Sequence, residues 1–525
     1  MWKSYLNSHH DLEFTSRLLD YIEHGVRIGY TGPDTSHVYP NWPSSYKLRD
    51  AVESSILYDV NNGRKAGPFN VPPFSHFIGS PLGAFNRKHS SKIRVIHDLS
   101  WPPKQSVNEF IDDNICSLQY ITIDDAVKHV KLTGIGSLMS KLDLQDAFKH
   151  VVVNPNDWHL LGSSWRSIDG TVQYYVDLVL PFGLRSSPYL FDQFATGLEF
   201  IMNCKGVSIV EHYLDDFFTC GSGNSDQCDV NISLMIDACN ETGFKINEKK
   251  LVMPTTRLEF LGILIDSERM ELRITDSRLS DIYGELLNWY KRTHCTKRQL
   301  LSIIGKLTFI SRVVVAGRTF VRRMINLSKG VRYLHYTIRL DKSFRDDITW
   351  WLTFLPSWNG ISAFRDDNWV DNDTLELYTD SSNVAIGAVF GVKWFCEPFT
   401  GKTSFCTDMS ITWRELYAIV KAIATWGRHM CNKRIMIHCD NAAVVFIVNS
   451  GTSKDIHIMK LVRSLFYLMA TNNLEIRVAH IEGIKNTQSD ALSRLQMNRF
   501  FALKPEANNI MTMPATFHYD DNVIL

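Results

Sequence analysis

Ile209-Val210-Glu211-His212-Tyr213-Leu214-Asp215-Asp216-Phe217-Phe218 sets two adjacent carboxylates between two apolar runs, the pattern expected at the tip of a β-hairpin. Adjacent acids in an apolar setting are costly unless positive charge neutralises them. Upstream, Leu138-Met139-Ser140-Lys141-Leu142-Asp143 is a second β-like run that ends in a carboxylate, and Leu144-Gln145-Asp146-Ala147-Phe148 then turns toward a helix. Hard oxygen ligands suit Mg²⁺, and two such ions can clamp the attacking and leaving oxygens of a phosphoryl transfer. An isolated Asp-Asp is more often a plain polar turn, so the pair alone leaves both readings open.

The rest of the chain bounds the problem. Its 525 residues exceed what one hydrophobic core usually organises, which predicts two to four domains. A composition of 45% hydrophobic and 12% aromatic residues is that of a folded globular protein. Ten cysteines are scattered without a CxxC pair or a Cys/His cluster at zinc spacing, the usage of reduced thiols in an intracellular protein. Met1 to Glu13 is polar and mixed, so no signal peptide is expected, and no run of about 20 apolar residues suggests a membrane span. The net charge is zero, yet Lys291 to Lys342 carries thirteen Lys or Arg against one acid, Asp341. Such a block is a phosphate-binding surface or a solvated helical face; Lys297, Arg298, Arg322 and Arg323 are expected on its exposed side.

Composition and periodicity divide the chain into an N-terminal extension (1–70), an α+β unit (71–265), a helical basic segment (266–370), a β-rich unit (371–497) and a loosely ordered tail (498–525). Within the second segment, Ser187 can cap a helix with Pro188 in its first turn, and Leu190, Phe194, Leu198 and Ile201 recur on one face.

Over about 200 residues the ordered motifs resemble the reverse transcriptase family. They are Arg94-Val95-Ile96-His97-Asp98-Leu99, Asp143 to Phe148, Leu180-Pro181-Phe182-Gly183-Leu184, Tyr213-Leu214-Asp215-Asp216, Gly243 to Lys250, and Phe260-Leu261-Gly262. The flanking phrases, among them His97-Asp98-Leu99-Ser100-Trp101-Pro102 and Asp157-Trp158-His159-Leu160-Leu161-Gly162, look most like DIRS-type retrotransposons, with gypsy-like and pararetroviral enzymes close by. The resemblance implies a right-hand polymerase of fingers, palm and thumb. It implies that Asp143, Asp215 and Asp216 hold Mg²⁺ or Mn²⁺, and that Lys92, Arg94, Asp146, Phe148, Gly183 and Lys250 meet the incoming nucleotide. Arg94 would fork onto phosphate oxygens, Phe148 would exclude a 2′-hydroxyl, and Lys250 would protonate pyrophosphate, with Lys249 an equal choice on chemistry. Retroviral members have Gln where this chain has Phe182, while Gly183 still permits close backbone approach.

A second set of acids follows. Asp380 ends the strand-like Leu375 to Thr379, Ala385 to Gly391 reads as its antiparallel neighbour, and Asp440 ends Ile435 to Cys439. Glu415 and Asp490 each stand three residues after a Thr at a helix start, which a capping box would also explain. Together the four resemble the ribonuclease H family in order and spacing. That implies a second two-metal site of Asp380, Glu415, Asp440 and Asp490 in a mixed-sheet domain, with Ser381 and Asn441 near the nucleic-acid backbone. His480 is either a satisfied strand-end histidine or an aid to product release.

The expected protein is thus a multidomain α+β and α/β enzyme that copies RNA with dNTPs from a DNA primer and cleaves the RNA strand of RNA:DNA hybrids. A catalytically silent remnant that binds nucleic acid is the alternative, opposed by the presence of all seven acids. An RNA polymerase is disfavoured by Phe148. No protease motif and no integrase or recombinase set is present, so integration falls to another protein.

Overall fold

The two runs that carry the first acids form neighbouring antiparallel strands. In this computed structural model, which describes residues 1–86, 93–114, 116–358 and 360–516, Leu138–Asp143 pairs with Asp216–Gly221. Glu211–Tyr213 and Val252–Thr255 flank them in a four-stranded sheet. Inward residues Leu142 and Phe217 are fully buried against Phe191, Leu198 and Ile201 of helix Ser187–Cys204 and Met235 of helix Gln227–Thr242. The apolar face expected for the first helix is therefore core. Its cap is not as expected: Ser186 is the N-cap, and the Ser187 hydroxyl instead donates to the Pro181 carbonyl at 2.9 Å.

These elements belong to the first of two compact units, Met1–Leu261 and Gly262–Leu525. The first 70 residues do not stand apart as an extension. His37–Val38 and Lys65–Phe69 are the edge strands of a five-stranded sheet with Ile78–Gly79, Gly162–Arg166 and Val172–Asp177. Leu6, Phe14, Leu18, Val26 and Ile28 are buried in the same cluster as Leu142 and Phe217. The cause is close helix packing: a Cβ on Gly197 would stand 2.5 Å from Leu18 and 3.0 Å from Trp2. The Arg27 guanidinium adds bonds to both oxygens of the buried Asp157 carboxylate, from Nε at 3.0 Å to each and from a terminal nitrogen at 2.9 Å to one.

In the second unit, four helices (Asp276–Tyr290, Lys297–Ile310, Thr319–Lys329, Lys342–Trp358) pack around Phe320, Phe344, Trp350 and Trp351. Of the four charges expected to be exposed, Arg298 and Arg322 are. Lys297 and Arg323 are partly buried, because the Lys297 ammonium donates to the Val331 carbonyl and Arg323 to that of Ser343. Beyond them, Leu377–Ser381, Ala385–Phe390 and Lys393–Pro398 form an antiparallel sheet, and Trp369–Val370, Arg434–Cys439 and Glu475–His480 a parallel one. Helix Ile411–Trp426, apolar on nearly every face, is buried almost throughout. Among the described residues no helix is long and apolar enough to cross a membrane.

The described part of the C-terminal tail is held rather than loose. Helix Met497–Leu503 buries Phe500 against Trp394, with ring centroids 5.2 Å apart, and the Ala515 carbonyl accepts from Lys421 at 2.7 Å. Large-to-small changes at such sites cost about 3–5 kcal/mol. Phe500→Ala is expected to lower the urea midpoint of the unfolding transition reported by near-ultraviolet circular dichroism; a shift worth under about 1 kcal/mol would show that this helix is not part of the core.

Candidate catalytic sites

Strand register places Asp143 directly across from Asp216, and Asp215 sits in the turn between Tyr213 and Asp216. Leu214 takes φ 54° to close that turn, a conformation non-glycine residues adopt rarely and at a cost. The Asp215 carbonyl accepts from Leu144 N–H at 3.0 Å, which ties the turn to the neighbouring strand end. Burial first, then the Asp215 and Asp143 charges, push Asp216 up to about 6. Asp215 is raised too, mainly by burial and then by Asp143.

Asp143 is buried and turned to partners on the segment that follows helix Gln227–Thr242. Its Oδ1 accepts from Asn247 at 2.9 Å and its Oδ2 from Lys250 at 2.6 Å. Lys250 is held above its ordinary value although burial opposes this, because the Asp143 bond and the three acidic charges outweigh it. One ammonium against three clustered carboxylates leaves an excess of negative oxygen donors. That donor set fits hard divalent cations. Asn247 gave no signal in the sequence.

The residues read as meeting the nucleotide gather around Phe182. Phe148 lies 4.9 Å from it and 5.6 Å from Phe191 by ring centroids, and the Arg94 guanidinium stands 5.6 Å from the Phe182 ring centre. Lys92 lies outside the described residues. Gly183 has φ 115°, and a Cβ there would stand 2.3 Å from the His97 carbonyl oxygen, so only glycine fits. His97 bonds the buried Asp177 at 2.9 Å through Nδ1 and the Gly162 carbonyl at 3.0 Å through Nε2. Asp146 adopts φ 53° and pairs with Arg64 at 2.9 Å. Arg64, Lys149 and Asp177, none singled out by sequence, line a cavity of about 210 Å³ with Asp146 and Phe182.

In the second unit, Asp380 stands in strand Leu377–Ser381 with Gly387 as its cross-strand partner. Glu415 accepts from Ser381 N–H at 3.1 Å through Oε1, while its buried Oε2 has no protein partner. Oxygens of Glu415 and Asp440 and the Cys439 sulfur lie within 4.8 Å of one another. No other group of three such ligands, Asp143, Asp215 and Asp216 included, is as close among the described residues. An orphaned buried carboxylate oxygen beside a second carboxylate fits a divalent cation.

Burial, then the Asp380 and Asp440 charges, push Glu415 up to about 9; burial and the Asp440 and Asp490 charges push Asp380 up to about 7, against a Ser493 hydroxyl bond of 2.5 Å. Asp490 is held below its usual value because Arg494 at 2.6 Å and Arg499 at 2.8 Å outweigh its partial burial.

Neither capping explanation holds. Ser410, not Thr412, caps the helix of Glu415, and the Asp490 side chain goes to the two arginines. The Asn441 amide oxygen caps helix Ala442–Ser450 through Ala443 and Val444, leaving only its NH₂ for any other partner. His480 is exposed at the end of strand Glu475–His480, in register with Cys439.

Residues 86–265 match the family model described as Reverse transcriptase (RNA-dependent DNA polymerase). The chain is 22% identical to a polyprotein of Cassava vein mosaic virus, covering 70% of this chain and 54% of that one. It is 20% identical to an enzymatic polyprotein of Carnation etched ring virus, covering 61% and 46%. It thus spans about half the length of these two relatives. Among solved structures it resembles the foamy viral protease-reverse transcriptase dRH in complex with double-stranded DNA, at 14% identity and a TM-score of 0.51, covering 91% of this chain and 81% of that one. The likeness is one of fold.

The strand leading to Asp215 and Asp216 is anchored by histidines: His129 bonds Glu211 at 2.7 Å, and His212 bonds Glu199 and, at 3.5 Å, Asp192. Although burial opposes it, the two carboxylates of helix Ser187–Cys204 raise His212 to about 9. A raised folded-state value stabilises fully below the unfolded value near 6.5 and is lost as pH rises through 9. The stability gap between the parent and His212→Gln should therefore be widest near pH 6, on the order of 3 kcal/mol, and should shrink by pH 9. Urea unfolding at several pH values reads it; a gap independent of pH would mean that His212 is not a buried cation.

Proposed function

We propose that this protein is an RNA-directed DNA polymerase joined to a ribonuclease H, each working at a cluster of carboxylates that takes Mg²⁺ or Mn²⁺. The register of Asp143 against Asp216, inside a span that matches the reverse transcriptase family, carries the first half. Bound divalent ions would lower the pKa of the primer hydroxyl and draw charge from the phosphates. The chain's own residues do the rest. Asp143 and Asp216 hold their oxygens on strand ends and Asp215 in the tight turn between strands, Arg94 approaches the triphosphate, and Lys250, already bonded to Asp143, holds or donates a proton to pyrophosphate. Phe148, backed by Phe182 and Phe191, forms a wall against a ribose 2′-oxygen.

The second half rests on the grouping of Glu415 and Asp440, with Asp380 coupled to Glu415 and Asp440 by charge and the unpartnered Glu415 oxygen as its clearest sign. RNA template, DNA primer, RNA:DNA hybrid and dNTPs are the proposed partners, and a retroelement of DIRS-like or pararetroviral type is the proposed source.

Two experiments test this. Asp215→Asn should abolish extension of a DNA primer on RNA with dNTPs and Mg²⁺ by at least about a hundredfold yet leave hybrid cleavage intact, while Asp440→Asn should do the reverse. Loss of both activities in either folded variant would sink the two-site reading. Phe148→Ala should raise incorporation of ribonucleotides relative to deoxyribonucleotides by about tenfold or more, since overlap with the 2′-oxygen is relieved. Unchanged sugar discrimination would leave Phe148 a packing residue.

A further inference from the structure

Six consecutive residues of the second unit, Arg332 to Thr337, are exposed, among them Tyr333 (44%), Leu334 (45%) and Tyr336 (47%). Their rings form a cluster rather than scattering. Tyr333 lies parallel to His335 with centroids 5.8 Å apart, and Tyr336 meets both edge-on at 4.9 Å. Arg332 covers Tyr333 at 5.2 Å. A solvated loop has no need of such a set, since large apolar rings gathered at the surface lose free energy to water.

The loop is also fixed. Its carbonyls at Tyr336 and Leu334 accept from the N–H groups of Lys297 and Arg298 at the start of helix Lys297–Ile310, at 3.0 and 2.9 Å. The Lys297 ammonium bonds the Val331 carbonyl at 2.6 Å, and Tyr336 N–H closes a turn onto Tyr333. Strand Thr337–Arg339 then pairs with His294–Thr296, which sets Arg339 beside His294 on the exposed face. Arg298, Lys329, Arg332 and Arg339 are all exposed, and no acid occurs between Lys291 and Leu340.

We infer that the Arg332–Thr337 loop is a binding site for single-stranded nucleic acid, in which unpaired bases stack on Tyr333 and Tyr336 while the surrounding arginines and lysine take the phosphates. Aromatic rings flanked by exposed cations, here Arg332 at 5.2 Å from Tyr333, are the chemistry that holds single strands without regard to sequence. A duplex fits less well, because its bases are already stacked on one another and offer only edges and phosphates. The inference deepens the polymerase reading by giving it a holding point for unpaired template, and it rests on that reading only for the strand's origin.

The full chain is titrated by fluorescence anisotropy, at one salt concentration, with labelled single-stranded RNA, single-stranded DNA of the same sequence, and the duplex. In the Tyr333→Ala/Tyr336→Ala variant, single-strand affinity should fall about tenfold or more, while Tyr333→Phe/Tyr336→Phe should bind like the parent and duplex affinity should change less than twofold. The RNA and DNA arms say which strand the site prefers. Unchanged single-strand affinity, an equal fall for duplex, or an equal fall in the phenylalanine pair overturns the inference. So does a concentration-dependent dimer of the parent that the alanine pair abolishes, since the rings would then cover a second copy. If the alanine pair does not fold, photocrosslinking of a bromouridine-labelled single strand to the parent decides, and absence of crosslinks within Arg332–Thr337 overturns the inference. Primer extension by the parent is read alongside: its failure with ring-dependent binding intact sinks the polymerase reading and not this one.

Discussion

Mutual repulsion between buried carboxylates is the constraint to which both sites answer. Burial is the larger cost for each of these acids, and two unit charges about 4 Å apart add repulsion of about 4 kcal/mol at the effective dielectric of a protein surface. Flexible loops would let the acids swing apart. Here Asp143 and Asp216 are fixed by a ladder that runs from Leu138 to Asp143, and Glu415 by a helix buried on nearly every face. The cost emerges as raised proton affinity, with Asp216 near 6, Asp380 near 7 and Glu415 near 9. Rigid backbone that enforces a raised pKa is the usual mark of a functional cluster.

The chain offsets this repulsion differently in its two halves. At Asp143 the counter-charge is Lys250, more than half exposed and free to change partners, with Asn247 adding a neutral donor. At Asp490 it is two arginines, one from the same helix a turn later and one from the helix that follows. Guanidinium groups stay charged at any accessible pH, whereas the ammonium of Lys250 can give up a proton.

What could be read from the sequence was what recurs locally. Strand-end acids, the apolar face of helix Ser187–Cys204 and the antiparallel partner of Asp380 all follow from periodicities of 2 and 3.6, which neighbours within a few residues set. Long-range packing was not legible. The first 70 residues read only as a helical opening and a loop, because their two strands are short edges and their helices pack through Trp2 and Leu18 against a glycine more than 170 residues away. The capping boxes failed for a related reason: a Thr followed by an acid three residues later has the same spelling whether the acid turns back to the helix start or across to a strand. Only the position of Ser381 and of Arg499 decides between them. Net charge misled in the same way, since a sum of zero conceals thirteen cations in a stretch with one acid.

The substitution at Phe182 shows how a departure from a family pattern can be absorbed. A glutamine there would offer an amide to hydrogen-bond, which a phenyl ring cannot replace. The ring instead gives Phe148 a partner at 4.9 Å and the Arg94 guanidinium a face at 5.6 Å, so two residues that would meet the nucleotide are braced by one apolar side chain. An arginine resting on a ring keeps its planar fork while losing rotamer freedom, which lowers the entropic cost of binding phosphate. In the roles proposed for Phe148 and Arg94, the rigidity of the one and the preorganisation of the other would have a common origin in the Phe182 ring.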